Sequence, residues 1–319
     1  MPRRESISIG GTEIRAGNRA QIDLPVSKLI TGAEMAIPVV ALHGRYDGPT
    51  VWLSAAIHGD ELNGVEIVNR VLAGLDPKTM HGTVYAVPVV NLYGFITGDR
   101  YLPDRRDLNR SFPGSARGSL ASRVAHLFMT EIVHRCDVGI DLHTASDHRT
   151  NLPQVRADLD DPETLRLTRA FGPAVMIHSK PRKGTLRGAA ARAGKTVLLY
   201  EAGEPWRFNH DAIDAGVIGV RRVLGRLKVA KSGGPRAPKG VPESRSTRWM
   251  RATRSGIVHL EVANGDVVEA KQPLGTIDDA FGKRLSTVRA SRSGMVIGQT
   301  LHPLVNRGDA LVHIATINS

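Results

Sequence analysis

The sequence is poor in cysteine, poor in aromatics and free of long apolar runs, and each shortage removes a class of function. One cysteine, Cys136, stands among 319 residues, which excludes an internal disulfide framework and any metal site built from several thiolates, and fits a reducing compartment. Cys136 lies between helix-like and strand-like residues and reads as a small buried hydrophobe rather than a nucleophile. Aromatic residues make up 4% of the chain, few for a protein that stacks bases. No run approaches the ~20 apolar residues of a membrane helix, and the start, MPRRESISIGG, has no apolar signal core; a cytoplasmic protein with no membrane partner is expected.

Acidic residues are also scarce relative to basic ones: 31 against 43 gives a formal net charge of +12. The excess is local. Residues 228–254 carry eight basic residues against Glu243 alone, so +7 of the +12 sits in one stretch with three prolines and a Gly-Gly pair. That is the composition of an exposed connector, and with no nucleic-acid motif beside it, no nucleic-acid partner is expected. The length suits two domains. We place a large domain at 1–227, a basic linker at 228–247 and a small domain at 248–319.

Residues 1–48 read as short antiparallel strands (6–9, 20–24, 36–42) with Gly and Asp turns. Residues 50–57 are expected as a strand covered on both faces, a run apolar after Thr50 except for Ser54. Helical spacing begins at Leu62 and is closed by Gly74 and Pro77. Further strands are expected at 83–90, 138–142, 174–178 and 196–200, and helices at 120–134, 162–171, 186–193 and 210–227. Residues 91–118 and 144–161 are polar and aperiodic, so both are expected as loops; one this long inside a domain points to function. The alternation indicates an α/β fold: a mixed, largely parallel sheet flanked by helices, with ligands at the carboxyl ends of its strands.

The segment 248–319 has no helical period, many Val and Ile, and an internal echo. Ser255-Gly256-Ile257-Val258 with Asn264-Gly265-Asp266-Val267 resembles Ser293-Gly294-Met295-Val296 with Arg307-Gly308-Asp309-Ala310. A small all-β sandwich of the biotinyl/lipoyl-like type is predicted. Lys283 lacks the flank of a modified lysine, so the residues suggest a structural or oligomerising role, in a homo-oligomer.

The stretch 51–64, VWLSAAIHGDELNG, ends a buried strand on His58 and Glu61. With 12 His in the chain, about half an H-x-x-E match is expected by chance, so spacing alone carries little. Placement carries more, because His58, His143 and Glu201 each follow a predicted buried strand. His58, Glu61 and His143 would give zinc two imidazoles and a carboxylate and keep one position for water. Glu201 is then the base for that water, with Glu204 as its rival. Gly59 is expected to permit a tight turn and Asp60 to support it. Asp107-Leu108-Asn109-Arg110 sets an amide beside a guanidinium fork, suited to a substrate carboxylate, and a further arginine (Arg100, Arg105 or Arg106) is available for an oxyanion. Arg149, Arg156 and Arg187 are candidates for a second carboxylate, or else for structural salt bridges.

His58-Gly59-Asp60-Glu61, Asp107-Leu108-Asn109-Arg110 with Phe112-Pro113-Gly114, Asp141-Leu142-His143-Thr144 and Tyr200-Glu201-Ala202-Gly203 occur in this order. Together they resemble the succinylglutamate desuccinylase/aspartoacylase family of the zinc carboxypeptidase clan, over roughly residues 35–227. The resemblance implies a zinc-carboxypeptidase-like fold and one Zn2+ per chain on His58, Glu61 and His143. It implies Glu201 as catalytic acid/base, Asn109 and Arg110 on the substrate's α-carboxylate, and Arg100 as the arginine that polarises the scissile carbonyl. The enzyme implied is a zinc-dependent amidohydrolase, a deacylase of small-molecule N-acetyl or N-succinyl amino acids, with a β-rich tail that shapes or covers the pocket entrance. Two other functions fit the same residues: a metallocarboxypeptidase trimming a peptide, and a non-enzymatic binding or scaffold protein.

Overall fold

The structure is a computed structural model that describes residues 4–231 and 233–317. Its spine is one mixed sheet, with 13 strands among the described residues. At the centre, His81–Val87, Tyr46–Ala55, Val138–His143 and Thr196–Gly203 lie side by side in parallel. Antiparallel strands extend both flanks: Glu34–His43 and Asn18–Lys28 beyond His81–Val87, and Arg149–Ala157 beyond Thr196–Gly203. Parallel pairing is thus concentrated where the candidate site lies.

The central strands are apolar on both faces because helices cover both. Val51, Leu53 and Ala55 face a cluster containing Ile67 and Val71 of helix Asn63–Ala73, Phe171 of Pro162–Phe171 and Val220 of His210–Arg226. Trp52, between them in sequence, faces Phe128 of Leu120–Glu131 and Ala189 of Leu186–Arg192, as strand alternation requires. Each large apolar side chain so buried contributes about 1.5–3 kcal/mol. Helix ends are set locally. At Pro162–Phe171 the Asp161 carboxylate accepts the Thr164 N–H at 2.7 Å, Pro162 occupies the first turn, and Gly172 closes the helix at φ 69°,.

Both segments expected as loops contain elements. Within 91–118, Leu92–Thr97 is a helix capped by Asn91, whose side chain accepts the Gly94 N–H at 2.9 Å, and Leu108–Arg110 is a single 3-10 turn capped by Asp107. Both are too short to express a period. Within 144–161, Arg149–Ala157 is a strand whose alternation is broken by an extra residue: Asn151 pairs with Gly203, but Gln154 with Glu201. This bulge at residues 152–153 reverses the side-chain parity of residues 154–157. Asn151 and Arg156 consequently line the same cavity.

The same strand forks the sheet. Residues 154–157 pair with Val175–His178, whereas 149–151 pair with Gly294–Thr300 of the tail. Through that ladder Gly294–Thr300, Ala310–Thr316 and Ser246–Arg251 prolong the main sheet. A four-stranded sheet of Gly256–Leu260, Pro273–Asp278, Arg284–Arg289 and Leu304–Val305 completes the tail, around a core that includes Met250, Leu274, Ile277, Val296 and Leu311. Val175, Ile177, Ile297 and Ala315 seal the seam. The basic connector is mostly exposed but anchored: Glu243–Ser244 pairs with Val175–His178, and Arg222 donates to the Pro235 and Arg236 carbonyls. Among the described residues no helix is long and apolar enough to cross a membrane.

Candidate active site

His58, His143 and Glu201 come from the carboxyl ends of three adjacent parallel strands, which is why they meet in one cavity of about 490 Å³. His58 lies just past Tyr46–Ala55, His143 is the last residue of its strand, and Glu201 lies within Thr196–Gly203 rather than after it. His58, Glu61 and His143 are buried and bring one donor atom each within 4.8 Å of one another. Glu61 is the hub. Its Oε1 lies 2.7 Å from His58 Nδ1, its Oε2 lies 2.8 Å from His143 Nδ1, and Oε2 also accepts the Thr144 N–H at 3.0 Å. Gly59 sits in the expected tight turn, closed by the Glu61 N–H on the His58 carbonyl at 3.2 Å; its φ is not left-handed, and a Cβ there would stand 1.9 Å from the backbone carbon of Gly94. Its role is to let helix Leu92–Thr97 lie directly against the loop that carries the donors.

Each imidazole is braced from behind by a carboxylate. Asp107 Oδ1 lies 3.2 Å from His58 Nε2 and Asp141 Oδ2 lies 2.9 Å from His143 Nε2. Ser54, the polar interruption in its apolar strand, donates to Asp141 Oδ1 at 2.8 Å. Such braces orient a ring and leave its other nitrogen for a metal. Burial opposes charge on Glu61, but the two imidazoles outweigh it and hold the carboxyl well below the usual range. Burial also opposes protonation of His143, yet Asp141 and Glu61 raise its pKa well above the ordinary value,. Asp60 lies outside the donor set; burial and the adjacent Glu61 push its pKa up to about 6, and its backbone oxygen accepts the Trp206 N–H. One carboxylate and two imidazoles, buried and braced, fit a zinc-type ion.

Glu201 lines the cavity and is held by the bulged strand: Asn151 Nδ2 donates to Oε2 at 2.8 Å, and an Arg156 guanidinium nitrogen lies 3.3 Å from the same oxygen. Its rival Glu204 does not line this cavity; it is engaged by Asn209 and Arg207. Arg100 does line it, 3.4 Å from Glu61 Oε1 and 3.0 Å from Asp107 Oδ2. Arg105 and Arg106 do not. Asn109 Oδ1 accepts the Leu186 N–H at 2.9 Å, leaving the amide –NH2 end for a ligand, and Arg110 donates to the Asn109 carbonyl at 2.7 Å. Arg149 and Arg156 both border the cavity, Arg149 with its guanidinium carbon 5.6 Å from the Trp249 ring centre.

Arg187 is placed elsewhere. It donates to the backbone oxygen and hydroxyl of Ser179, faces a separate hollow, and burial lowers its pKa to about 10. A role on substrate does not fit it; it ties down the chain before helix Leu186–Arg192. Several lining residues carry no sequence expectation: Asn151, Arg182, Thr185, and Trp249, Arg251 and residues 308–310 from the tail. The tail is therefore a wall of the cavity, as the resemblance implied and the residues alone did not. Trp249 and Arg251, two apart on one strand, hold the signal that could have shown it. Six arginines line the cavity against Glu61, Glu201 and Asp309, a balance suited to an anionic ligand.

A family model described as the succinylglutamate desuccinylase/aspartoacylase catalytic domain matches residues 47–227. The N-α-acetyl-L-2,4-diaminobutyric acid deacetylase of Halomonas elongata is 29% identical over 315 residues, 93% of this chain and 90% of that protein. The succinylglutamate desuccinylase of Pseudomonas aeruginosa is 32% identical over 127 residues, 35% of this chain and 36% of that protein. A crystal structure described as a succinylglutamate desuccinylase/aspartoacylase from Rhodobacter sphaeroides matches with a TM-score of 0.83 at 27% identity, covering 94% of this chain and 96% of that one. The product-bound ectoine utilization protein EutE (DoeB) of Ruegeria pomeroyi shares the fold, with a TM-score of 0.82 at 22% identity over 94% of each chain. The matched region spans more than half of the sequence and contains the donor triad, Glu201 and the Asn109-Arg110 pair; this chain belongs to the succinylglutamate desuccinylase/aspartoacylase family.

Proposed function

We propose that this chain is a zinc-dependent deacylase that hydrolyses the amide bond of an N-acyl amino acid to a carboxylic acid and a free amino acid. The observation that carries this reading is the convergence, in one cavity, of the His58, Glu61 and His143 donors, the Glu201 carboxylate and the Asn109-Arg110 pair. The reactions named for the relatives, deacetylation and desuccinylation, support the reaction class. His58, Glu61 and His143 would hold a zinc ion, which would supply a Lewis acid and lower the pKa of a bound water to about 7,.

The chain's own groups do the rest. The Asn109 amide and Arg110 guanidinium hold the substrate's α-carboxylate and so orient the scissile amide. Arg100 offers N–H donors to the carbonyl oxygen as it gains negative charge. Glu201 takes a proton from the attacking water and returns it to the amide nitrogen, so that the amine departs neutral. Arg149, Arg182 and Arg251 favour a substrate with a carboxylate beyond the α-carboxylate, of the acyl-aspartate, acyl-glutamate or N-succinyl type. The wall of Trp249, Arg251 and residues 308–310 favours a small molecule over the end of a peptide.

The test is a screen of N-acetyl and N-succinyl amino acids with acidic, neutral and basic side chains, alongside short peptides, read as released amine. Release from N-acyl amino acids that stops with chelator and returns with zinc is expected. Release from peptides alone would replace this reading with a carboxypeptidase, and metal-loaded protein inert towards every substrate would replace it with a binding protein.

A further inference from the structure

We propose that Asn151 and Arg156 are positioning residues for Glu201, and that the tail strand Gly294–Thr300 sets their geometry, with Gly298 as the point of control. The inference rests on the reading of Glu201 as the acid/base. Both contacts fall on Oε2, at 2.8 Å from Asn151 Nδ2 and 3.3 Å from the Arg156 guanidinium. The last torsion of a glutamate is soft, so two donors on one oxygen fix the carboxylate plane and present Oε1 for proton exchange.

The two donors could not both be in place on an unbulged strand. Asn151 and Arg156 are an odd number of residues apart and would face opposite sides; the extra residue at 152–153 brings them to one side,. The tail holds this arrangement at both ends of the bulge. Asn151 pairs with Gly298 in the ladder. Gln154 donates to the Ile297 carbonyl at 3.0 Å and accepts from Arg156 Nε at 3.3 Å. At Gly298 an added Cβ would stand 2.6 Å from Asn151 Oδ1, whereas the nearest backbone atom, Thr150 O, is 3.3 Å away. The φ of Gly298 is not left-handed, so alanine fits its backbone conformation, and its methyl would act chiefly on the Asn151 amide. A glycine on the tail thus leaves room for the side chain that aims the catalytic carboxylate.

The test compares Asn151→Ala, Gly298→Ala and the double variant in the full zinc-loaded chain. Asn151→Ala should lower kcat by about ten- to a hundredfold, the worth of one hydrogen bond to a charged group, with KM and zinc content near wild type. Gly298→Ala should lower kcat several-fold alone and add nothing in the Asn151→Ala background. Equal losses in both backgrounds, or a change confined to KM, would overturn the proposal. Arg156→Lys should keep part of the kcat that Arg156→Ala loses; identical losses would remove Arg156 from it. A crystal structure of Gly298→Ala reads the same contact without turnover: the Asn151 to Glu201 hydrogen bond should be broken, and an intact bond refutes the control by Gly298. If Glu201→Gln remained fully active, the acid/base reading would fail while the crystallographic result stood by itself.

Discussion

The two sides of the cavity are built in opposite ways. On the side of the donor triad, His58, Glu61 and His143 are 4%, 2% and 4% exposed, and Asp107, Asp141 and Ser54 brace the two imidazoles from behind. On the facing side, Arg149, Trp249 and Arg251 come from the outer end of a bulged strand and from a tail strand far away in sequence. A buried, fully partnered corner has one arrangement and suits a fixed reaction. A wall of long side chains on paired strands can change residue by residue without disturbing that corner. One family can thus contain relatives named for removing acetyl and succinyl groups from different amino acids.

The sharpest way to break this contrast is to remove a donor. Glu61→Ala and His143→Ala should each take the zinc content from about one ion per chain to near zero and cut activity on the order of a thousandfold or more. Elemental analysis checks this, and full metal in both variants would sink the assignment. Next, Asp141→Asn should weaken zinc by about ten- to a hundredfold against a competing chelator, with Ser54→Ala showing a smaller effect in the same direction. On the facing side the losses should appear in substrate choice instead. Arg110→Ala should raise KM for substrates with a free α-carboxylate far more than for their amides. Arg149→Ala should reduce kcat/KM about tenfold more for acidic than for neutral side chains; equal losses would make Arg149 a structural residue.

The smallest effect lies at the seam. Burial, reinforced by Arg156, lowers the His313 pKa from 6.5 to about 3. The folded protein keeps this ring neutral while the unfolded chain takes up a proton, so the stability it contributes is present above pH 6.5 and declines as pH falls toward 3. His313→Gln should flatten the pH dependence of Tm in that window, as followed by calorimetry. An unchanged slope would mean that other groups carry it.

Legibility in the sequence divides along the same line. His58, His143 and Glu201 are readable because each stands at the carboxyl end of an apolar run, and parallel strands bring such ends together without further information. Helix Pro162–Phe171 is readable to the residue because its caps are local. Strand Arg149–Ala157 is not: its bulge breaks the period, and its polar residues face a cavity rather than solvent. Arg149 and Arg187 look alike in sequence, and only the return of the chain past Ser179 decides that one meets the cavity and the other meets backbone carbonyls. Ser54 is an instructive intermediate. A hydroxyl in a strand covered on both faces must have a partner, although the sequence does not say that the partner is Asp141.

The ladder between residues 149–151 and the tail also has a bearing on how the protein can be handled. Cutting the chain at its basic connector would leave those backbone N–H and C=O groups open on an edge, next to Val175 and Ile177, which Ile297 and Ala315 now cover. An open edge beside an apolar patch is a template for pairing with other chains. The tail thus acts as an insulating cap, and the catalytic half, although it matches the family pattern alone, would be prone to self-association if expressed alone.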